Sequence, residues 1–323
     1  MGATLTIASP RHASARSLAV RADIRIGVSG WTYPPWRGNF YPPGLRQRDE
    51  LAFAARAFPA LEINGTFYGL QTPPAFRQWA AATPDNFMFA VKGSRFITHM
   101  LKLKNVETAL ANFLASGPLA LGSKLGPLLW QFPATFRFDP ERLEAFFRLL
   151  PRDGASASRL AERHDSRLRA PPHLDATGVG PIRHAIEIRH ESFRDPAFIA
   201  LLRRYEIALV CADTVDWPLL MDLTADFIYC RLHGSEELYR SAYRPEQLDA
   251  WAARIDAWAS GRKMTDGNFV TPRLDDNRPR DVFLFFDNTD KLMAPDDARA
   301  LAGRLGLRWE EEPWVRQEQS ASA

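Results

Sequence analysis

The feature of this sequence that most restricts its fold is a series of eight short apolar runs, most of them separated by amphipathic stretches. The runs occupy residues 24–28, 60–63, 87–91, 126–130, 185–188, 207–212, 227–230 and 282–286. Most consist almost entirely of Val, Ile, Leu, Phe and Ala, which is typical of strands buried on both faces. Alternation of such strands with helices predicts an α/β protein with a parallel sheet.

The stretches between the runs carry sequence signals of helix starts. Proline stands at or near the first predicted turn at Pro73, Pro140, Pro196 and Pro245. Proline is tolerated there because the first N–H groups of a helix have no intrahelical partner. The stretch after Asp213 lacks a helical pattern, so we expect a short or irregular connection between the sixth and seventh strands.

Eight strand units predict a single (β/α)8 barrel, the TIM barrel. The 323 residues suffice for a barrel of about 250 residues with insertions. We expect this domain to span 23–310. Two polar inserts, at about 151–181 and 262–280, should form surface loops or be partly disordered. The ends, 1–22 and 311–323, should be disordered. A doubly wound nucleotide-binding sheet is the alternative, but the first run leads into GVSGWTYPPW and not into a glycine-rich turn that opens a helix.

Composition narrows the function classes. The net charge of +3 is too close to balance to indicate nucleic acid as a partner. No apolar run approaches the ~20 residues that a membrane-spanning helix needs. Cys211 and Cys230 lack metal or redox spacing; we interpret them as reduced core residues that face different sides of the barrel wall, and we expect a cytoplasmic protein.

Polar residues able to do chemistry stand at or just past the end of nearly every run. They include Ser29, Trp31, Glu62, Asn64, Lys92, Gln131, Glu187, Arg189, Asp213, Arg231, His233, Asp287 and Asn288. The carboxyl ends of the strands of a TIM barrel meet at one rim, where enzymes of this fold have their active sites. The sequence therefore predicts a candidate site at the C-terminal rim.

Side chains alternate between the barrel interior and the helix layer, so residues two apart on a strand share a side. By this rule Glu62 and Asn64 face the same way, as do Glu187 and Arg189, and Arg231 and His233. On the sixth strand, we expect Leu209, Cys211 and Asp213 to face inward.

Acid–base chemistry on a small polar or anionic compound is the leading interpretation. Glu187 and Asp213 are the candidate acid and base, with Glu62 and His233 as catalytic helpers. Arginine and lysine suit the binding of phosphate or carboxylate groups. The candidate binding residues are Lys92, Arg189, Arg231, Asn64, Gln131, Tyr243, Trp31 and Asn288.

Three other interpretations remain open. The polar residues could form a structural ion-pair layer. A divalent metal could be bound by Glu62, Glu187, Asp213, His233 and Asp287, as in metal-dependent sugar isomerases or in a phosphodiesterase or nuclease acting on nucleic acid. The neighbouring cations disfavour a metal, and the sequence requires no cofactor. The protein could also bind a ligand without catalysis.

Several segments resemble the YecE-like family, known as domain of unknown function seventy-two. They include IRIGVSGWTYPPWRGNFYP, LGPLLWQFPATF, HAIEIRHESF and TADFIYCRLHG, and the resemblance runs from residue 24 to about 300 apart from the inserts. It implies a TIM barrel and, through a loose general label, a relation to sugar isomerases. Phe193 stands where the family usually has Trp, and Asp287 where Asn is common. The resemblance implies no particular reaction, so the leading hypothesis rests on the rim residues: a small polar or anionic substrate such as a sugar or a sugar phosphate.

Overall fold

Eight parallel strands form a closed barrel in sequence order, and the eighth strand pairs with the first. The computed structural model describes residues 22–234, 242–274, 276–287 and 292–308. The strands are β1 (Ile24–Ser29), β2 (Ala60–Ile63), β3 (Met88–Lys92), β4 (Leu125–Gln131), β5 (His184–Glu187), β6 (Ala208–Asp213), β7 (Phe227–Leu232) and β8 (Asp281–Phe286). Each begins and ends within two residues of a predicted run, so the predicted barrel is confirmed.

Helices cover the outside of the barrel. They are α1 (Glu50–Ala57), α2 (Gly65–Tyr68), α3 (Pro73–Ala81), α4 (Glu107–Ala115), α5 (Pro140–Leu149), α6 (Gly154–Ala161), α7 (Pro196–Arg204), α8 (Pro245–Ala259) and α9 (Ala294–Arg304). Shorter 3₁₀ segments are Pro34–Trp36, Gln47–Asp49, Pro118–Lys124 and Glu191–Phe193, and Phe96–Met100 is a π-helical turn. The four predicted proline starts are confirmed, and Asp139 and Asp195 cap two of them through their side chains.

Two apolar layers hold the barrel together. Its interior is filled by Ala60, Ala90, Leu129, Ala185, Ala208, Val210, Ala212, Phe227, Tyr229, Phe283 and Phe285. Outside, larger side chains pack between strands and helices; the Trp130 ring, for example, makes edge contacts with Phe113 and Phe146. Side-chain alternation explains the division, since successive residues of one strand enter opposite layers.

The predicted orientation of β6 is wrong. Ala208, Val210 and Ala212 face the interior, so Leu209, Cys211 and Asp213 face the helices. The cause is register: Ala212 lies beside the inward-facing Arg231 of β7, and residues aligned on neighbouring strands point to the same side. Cys211 and Cys230 are also aligned, so both lie in the outer core and not on different sides as predicted.

The two inserts differ from each other. Within the insert at 151–181, α6 occupies Gly154–Ala161 with Ala157 and Ala161 buried, so the prediction of a loop or partly disordered segment is wrong for those residues. Residues 162–181 form no helix or strand. An Asp153 cap begins this helix. The described residues of 262–280 form no helix or strand, and Asp222 orders this segment by accepting hydrogen bonds from the Val270 and Thr271 backbone N–H groups.

The connection between β6 and β7 contains no helix, as predicted. Helix lengths and hydropathy in the described part of the chain rule out a membrane-spanning helix there. All eight strands present their carboxyl ends to the same rim, where the polar residues of the sequence meet.

Candidate functional site

A layer of inward-facing side chains closes the barrel at the carboxyl ends of the strands. In strand order it consists of Ser29, Glu62, Lys92, Gln131, Glu187, Ala212, Arg231 and Asp287. Seven of these eight residues are polar, and all are buried. Buried charges need partners, so the pairing within this layer decides what the site can do.

Arg231 stands at the centre of the layer and is fully buried. Its Nε and Nη2 donate to both oxygens of Glu62 at 3.0 and 2.9 Å. Its Nη1 donates to Glu187 Oε2 at 2.6 Å, and Nη2 also donates to Asp287 Oδ2 at 2.6 Å. One guanidinium therefore binds three carboxylates, each from a different strand.

Glu187 is held in its ionised form. Gln131 Nε2 and Arg189 Nε donate to Glu187 Oε1 at 2.7 and 2.9 Å, while Arg231 binds the other oxygen. Burial opposes ionisation, but the guanidinium groups of Arg231 and Arg189 outweigh it and keep the pKa of Glu187 well below its usual range. A carboxylate in this state suits an anchor better than a proton donor.

Glu62 and its neighbours form the other half of the layer. The Tyr229 hydroxyl donates to Glu62 Oε2 at 2.6 Å, and Ser29 donates to Glu62 Oε1. Asn64 Nδ2 donates to Ser29 Oγ at 2.6 Å, so the amide extends this network toward the rim. The predicted shared orientation of Glu62 and Asn64 agrees with these contacts.

His233 is buried beside the same cluster. Its Nε2 lies 3.3 Å from Arg231 Nη1 and 3.8 Å from Glu187 Oε2, and its Nδ1 lies 3.4 Å from Asp287 Oδ2. The structure therefore brings together Glu62, Glu187, Arg231 and His233, as the sequence predicts.

A cleft of about 920 Å³ opens directly above this layer. Its lining is rich in cations and aromatic rings: Tyr33, Asn64, Phe67, Tyr68, Lys92, Arg95, His99, Met100, Gln131, Arg189 and Asp287. Among the described residues that line the cleft, Asp287 contributes the one carboxylate, and Arg231 already binds it. The charge facing the cleft from the described residues is thus positive.

Lys92 is the innermost of the cleft cations. Its side chain is buried, and its Nζ lies 4.3 Å from the centroid of the Phe67 ring. Among the described residues, no carboxylate forms an ion pair with it. Burial, with a further contribution from the nearby Arg231 charge, lowers the pKa of Lys92 to about 8.

Two further features of the cleft were not predicted from the sequence. The π-helical turn after β3 places His99 in the lining, beside Arg95, whose guanidinium lies 5.6 Å from the Tyr68 ring centroid. Burial and the charge of Arg189 lower the pKa of His99 to about 4, so its imidazole is neutral near pH 7. Arg95 lies three residues after Lys92, in the loop beyond the strand end, and its place just past the rim is the signal in the sequence that could have indicated it.

Trp217 was also missed. The guanidinium of Arg189 stacks on the Trp217 ring at 3.7 Å from its centroid, and the same ring contacts His233 edge-on at 5.7 Å. This tryptophan lies in the irregular β6–β7 connection, whose sequence has no periodic pattern to indicate which side chains turn inward. It fixes Arg189 in place over the barrel mouth.

Three predicted site residues lie away from both the cleft lining and the buried polar cluster beneath it. Asp213 accepts from Trp251 Nε1 at 2.9 Å on the helix side of β6, and the Tyr243 hydroxyl accepts from the Gly234 backbone N–H at 3.1 Å. Tyr243 is buried against Phe286. Trp31 packs against Trp79 of α3, with ring centroids 5.5 Å apart. Predicted residue Asn288 falls outside the described residues.

The geometry bears on the metal hypothesis. Of the predicted ligands, Glu62, Glu187 and Asp287 all bind the Arg231 guanidinium, which lies among their oxygens, and Asp213 faces the helices. In the described part of the chain, no group of three or more His, Cys, Asp or Glu side chains is arranged to hold a metal ion. The donor set present therefore fits an arginine better than a divalent ion.

Comparison with known proteins gives a consistent family. A family model described as "Protein of unknown function DUF72" matches residues 25–321. The chain is 32% identical over 128 residues to UPF0759 protein YecE of Escherichia coli (strain K12), a match that covers 39% of this chain and 43% of YecE. It is 30% identical over 118 residues to UPF0759 protein YunF of Bacillus subtilis (strain 168), covering 35% and 41%. These matches span less than half the length of either curated relative.

Solved structures support the same fold. A DUF72 family protein of Thermotoga maritima superposes with a TM-score of 0.66 at 23% identity, over 88% of this chain and 99% of that chain. A DUF72 family protein of Enterococcus faecalis V583 gives a TM-score of 0.60 at 19% identity, over 90% and 100%. Because the family model matches most of its residues, this chain belongs to the DUF72 family.

Proposed function

We propose that the rim cleft binds a small anionic compound, a sugar phosphate or a related acid, and that the protein catalyses acid–base chemistry on it. One observation carries the proposal: Lys92, Arg95 and Arg189 line one cleft, while the carboxylates beneath them are already bound by arginine. In the described part of the chain, Lys92 and Arg95 form no ion pair, whereas Arg189 already binds Glu187. Cations without a carboxylate partner favour an anionic ligand, and arginine binds phosphate through paired hydrogen bonds.

The aromatic part of the lining supports a ligand with a carbon skeleton. Phe67 and Tyr33 lie in the cleft wall, and Tyr68 and Met100 are exposed at its edge, with 69% and 65% of their surface accessible. Aromatic rings contact the C–H face of a sugar favourably. The ligand would place its anionic group on the cations and its carbon atoms against these rings.

Proton transfer in this proposal falls to Lys92 and His99. Both contact the Phe67 ring, and both have pKa values shifted toward the neutral form. Groups that titrate near the working pH make effective general acids and bases, which favours Lys92 over Glu187, whose pKa lies well below its usual range. In this scheme Glu187 and Glu62 hold Arg231, and Arg231 shapes the floor of the cleft.

The binding test uses matched pairs of ligands. Ribose 5-phosphate and glucose 6-phosphate should raise the melting temperature of the protein, while ribose and glucose at equal concentration should not. Arg95→Gln should abolish the effect. Arg77→Gln is the matched control, because Arg77 is exposed on α3 and does not line the cleft. Equal stabilisation by the sugars, or full stabilisation of Arg95→Gln, would refute an anion site here.

Turnover requires a separate measurement. Incubation of the stabilising compound with the protein in D₂O, followed by proton NMR, reports exchange of hydrogen at the carbon next to the carbonyl group. Acid–base catalysis predicts exchange that disappears in Lys92→Met. Binding without exchange would instead support the non-catalytic alternative, and binding that requires a divalent ion and nucleic acid would support the nuclease alternative.

A further inference from the structure

We infer that Lys92 is a nucleophile that forms an imine with the carbonyl group of an anionic substrate. This inference rests on the proposed anion site and assigns the substrate class more narrowly, as an aldehyde or ketone that carries a phosphate or carboxylate. Three observations support it. The amine of Lys92 faces the cleft, the neighbouring arginines cannot act as nucleophiles, and Arg95 and Arg189 line the same cleft, where they can bind the anionic group.

The position of Lys92 leaves its amine accessible but fixed. It is the last residue of β3, and its backbone carbonyl accepts a hydrogen bond from Thr66 Oγ1 at 2.6 Å. Its Nζ lies against the Phe67 ring and faces the cleft. In the described part of the chain it pairs with no carboxylate, so no ion pair has to be broken before the nitrogen can attack.

The neighbouring arginines cannot take this role. A guanidinium stays protonated in proteins and is not a nucleophile. Arg231 and Arg189 are, moreover, bound to carboxylates at 2.6 and 2.8 Å. Among the described residues that line the cleft, Lys92 is thus the amine that can release a proton and form an imine. The other lysines of the sequence are Lys102, Lys104, Lys124, Lys263 and Lys291.

The surroundings of Lys92 activate it. Its burial and the charge of Arg231 lower its pKa to about 8, even though Glu62, Glu187 and Asp287 act in the opposite direction. A lysine desolvated beside another cation is a recurrent way to obtain a nucleophilic amine at neutral pH. At pH 8 about half of Lys92 is neutral, against less than ~1% of an ordinary lysine.

Arg95 and Arg189 would hold the anionic group of the substrate in the same cleft. Lys92 first releases one proton to solvent, and the lone pair of the neutral Nζ then forms a bond to the carbonyl carbon. As the C–O bond breaks, the oxygen leaves as water with one hydrogen from Nζ and one proton returned from solvent, and the remaining hydrogen stays on the iminium nitrogen. The lysine charge of +1 is therefore conserved, and no oxidant or reductant takes part.

Reductive trapping tests the inference. The full chain is incubated at pH 8 with glyceraldehyde 3-phosphate and sodium cyanoborohydride, and the adduct is located by peptide mass spectrometry. We expect modification of Lys92 at least about tenfold faster than of Lys104, which is exposed. The rapidly formed adduct should be absent from Lys92→Arg, and the adduct at Lys92 should be retained in Lys104→Arg. Equal labelling of all lysines, or an unlabelled Lys92 in the wild-type protein, would overturn the inference without relying on any variant.

The same experiment separates this inference from the proposed anion site. Unphosphorylated glyceraldehyde should label Lys92 at least about tenfold more slowly, and Arg95→Gln should remove the advantage of the phosphorylated probe. Phosphate-dependent stabilisation without an adduct would disprove the nucleophile and keep the anion site. Equal labelling by both probes at Lys92 would keep the nucleophile and disprove the anion site.

Discussion

Arg231 and Lys92 carry the same charge in the same layer of the barrel, yet their surroundings differ. Arg231 binds three carboxylates, whereas Lys92 has an aromatic ring on one side and the open cleft on the other. The first arrangement stabilises a buried charge. The second leaves a charge that a ligand can compensate, and this contrast separates the structural cation from the functional one.

Replacement of Arg231 tests its structural role. Arg231→Met would leave Glu62, Glu187 and Asp287 close together without the cation that binds them. We expect a loss of about 3–5 kcal/mol in the free energy of unfolding, the usual cost of removing one partner from a buried ion pair. Urea denaturation measures it. Arg77→Met, at an exposed position, should change stability by less than about 0.5 kcal/mol.

The pH dependence of stability reports on Glu187. Its pKa is lowered in the folded state, so its contribution is complete above the unfolded value of about 4.3 and is lost as the pH falls through the folded value. Glu187→Gln should cost about 3 kcal/mol at pH 7, and the gap between wild type and variant should shrink below about pH 4. A gap that widened as the pH fell would contradict the assigned ionisation.

The buried charge of Lys92 should lower the free energy of unfolding at neutral pH. Because its pKa is lowered from 10.5 to about 8, the folded state disfavours the charged form below pH 8, and this penalty disappears above the unfolded pKa of about 10.4. Lys92→Met should therefore be more stable than wild type at pH 7, by at most about 3 kcal/mol. Thermal unfolding at pH 7 and pH 10 tests it, since the difference should narrow at the higher pH.

At the scale of elements, packing of the backbone at the end of β3 positions Lys92 and His99. Gly93 follows Lys92 directly, and a Cβ at Gly93 would lie 2.3 Å from the Trp130 ring. Beyond it, the π-helical turn Phe96–Met100 places His99 in the cleft. Such turns occur frequently at functional sites because they redirect side chains that a regular helix would turn elsewhere.

Substitution of Gly93 tests this packing. Gly93→Ala should lower the free energy of unfolding by about 1–3 kcal/mol, since the added methyl group meets a buried ring that cannot move freely. It should also weaken phosphate-dependent stabilisation by shifting Lys92. Gly69→Ala is the matched control, because a Cβ there meets no atom within 4 Å. Equal stability of the two variants would show that β3 and Trp130 have room to adjust.

Strand positions and helix starts were predictable because each depends on local sequence. The orientation of β6 was not, since Asp213 and Ala212 are both compatible with a strand end and only the register with β7 decides between them. Helix α6 was missed for a different reason. Its sequence GASASRLA is short and consists mostly of small residues, and burial of Ala157 and Ala161 becomes visible only once the helix packs on α4.

At the scale of the whole molecule, closure of the barrel is what turns scattered residues into a site. Glu62 and Arg231 are 169 positions apart in the sequence, yet they share two hydrogen bonds. The strand ends predicted which residues would meet. They did not predict that one arginine would bind three carboxylates, because that depends on distances across the barrel, or that Trp217 would stack on Arg189.

The most direct test of the anion site is a crystal structure of the protein grown with ribose 5-phosphate. The account predicts phosphate oxygens within hydrogen-bond distance of Arg95 or Arg189, with the sugar directed toward Lys92 and Phe67. Phosphate bound instead among the arginines of 262–280, with the rim cleft holding only water at saturating ligand, would contradict it.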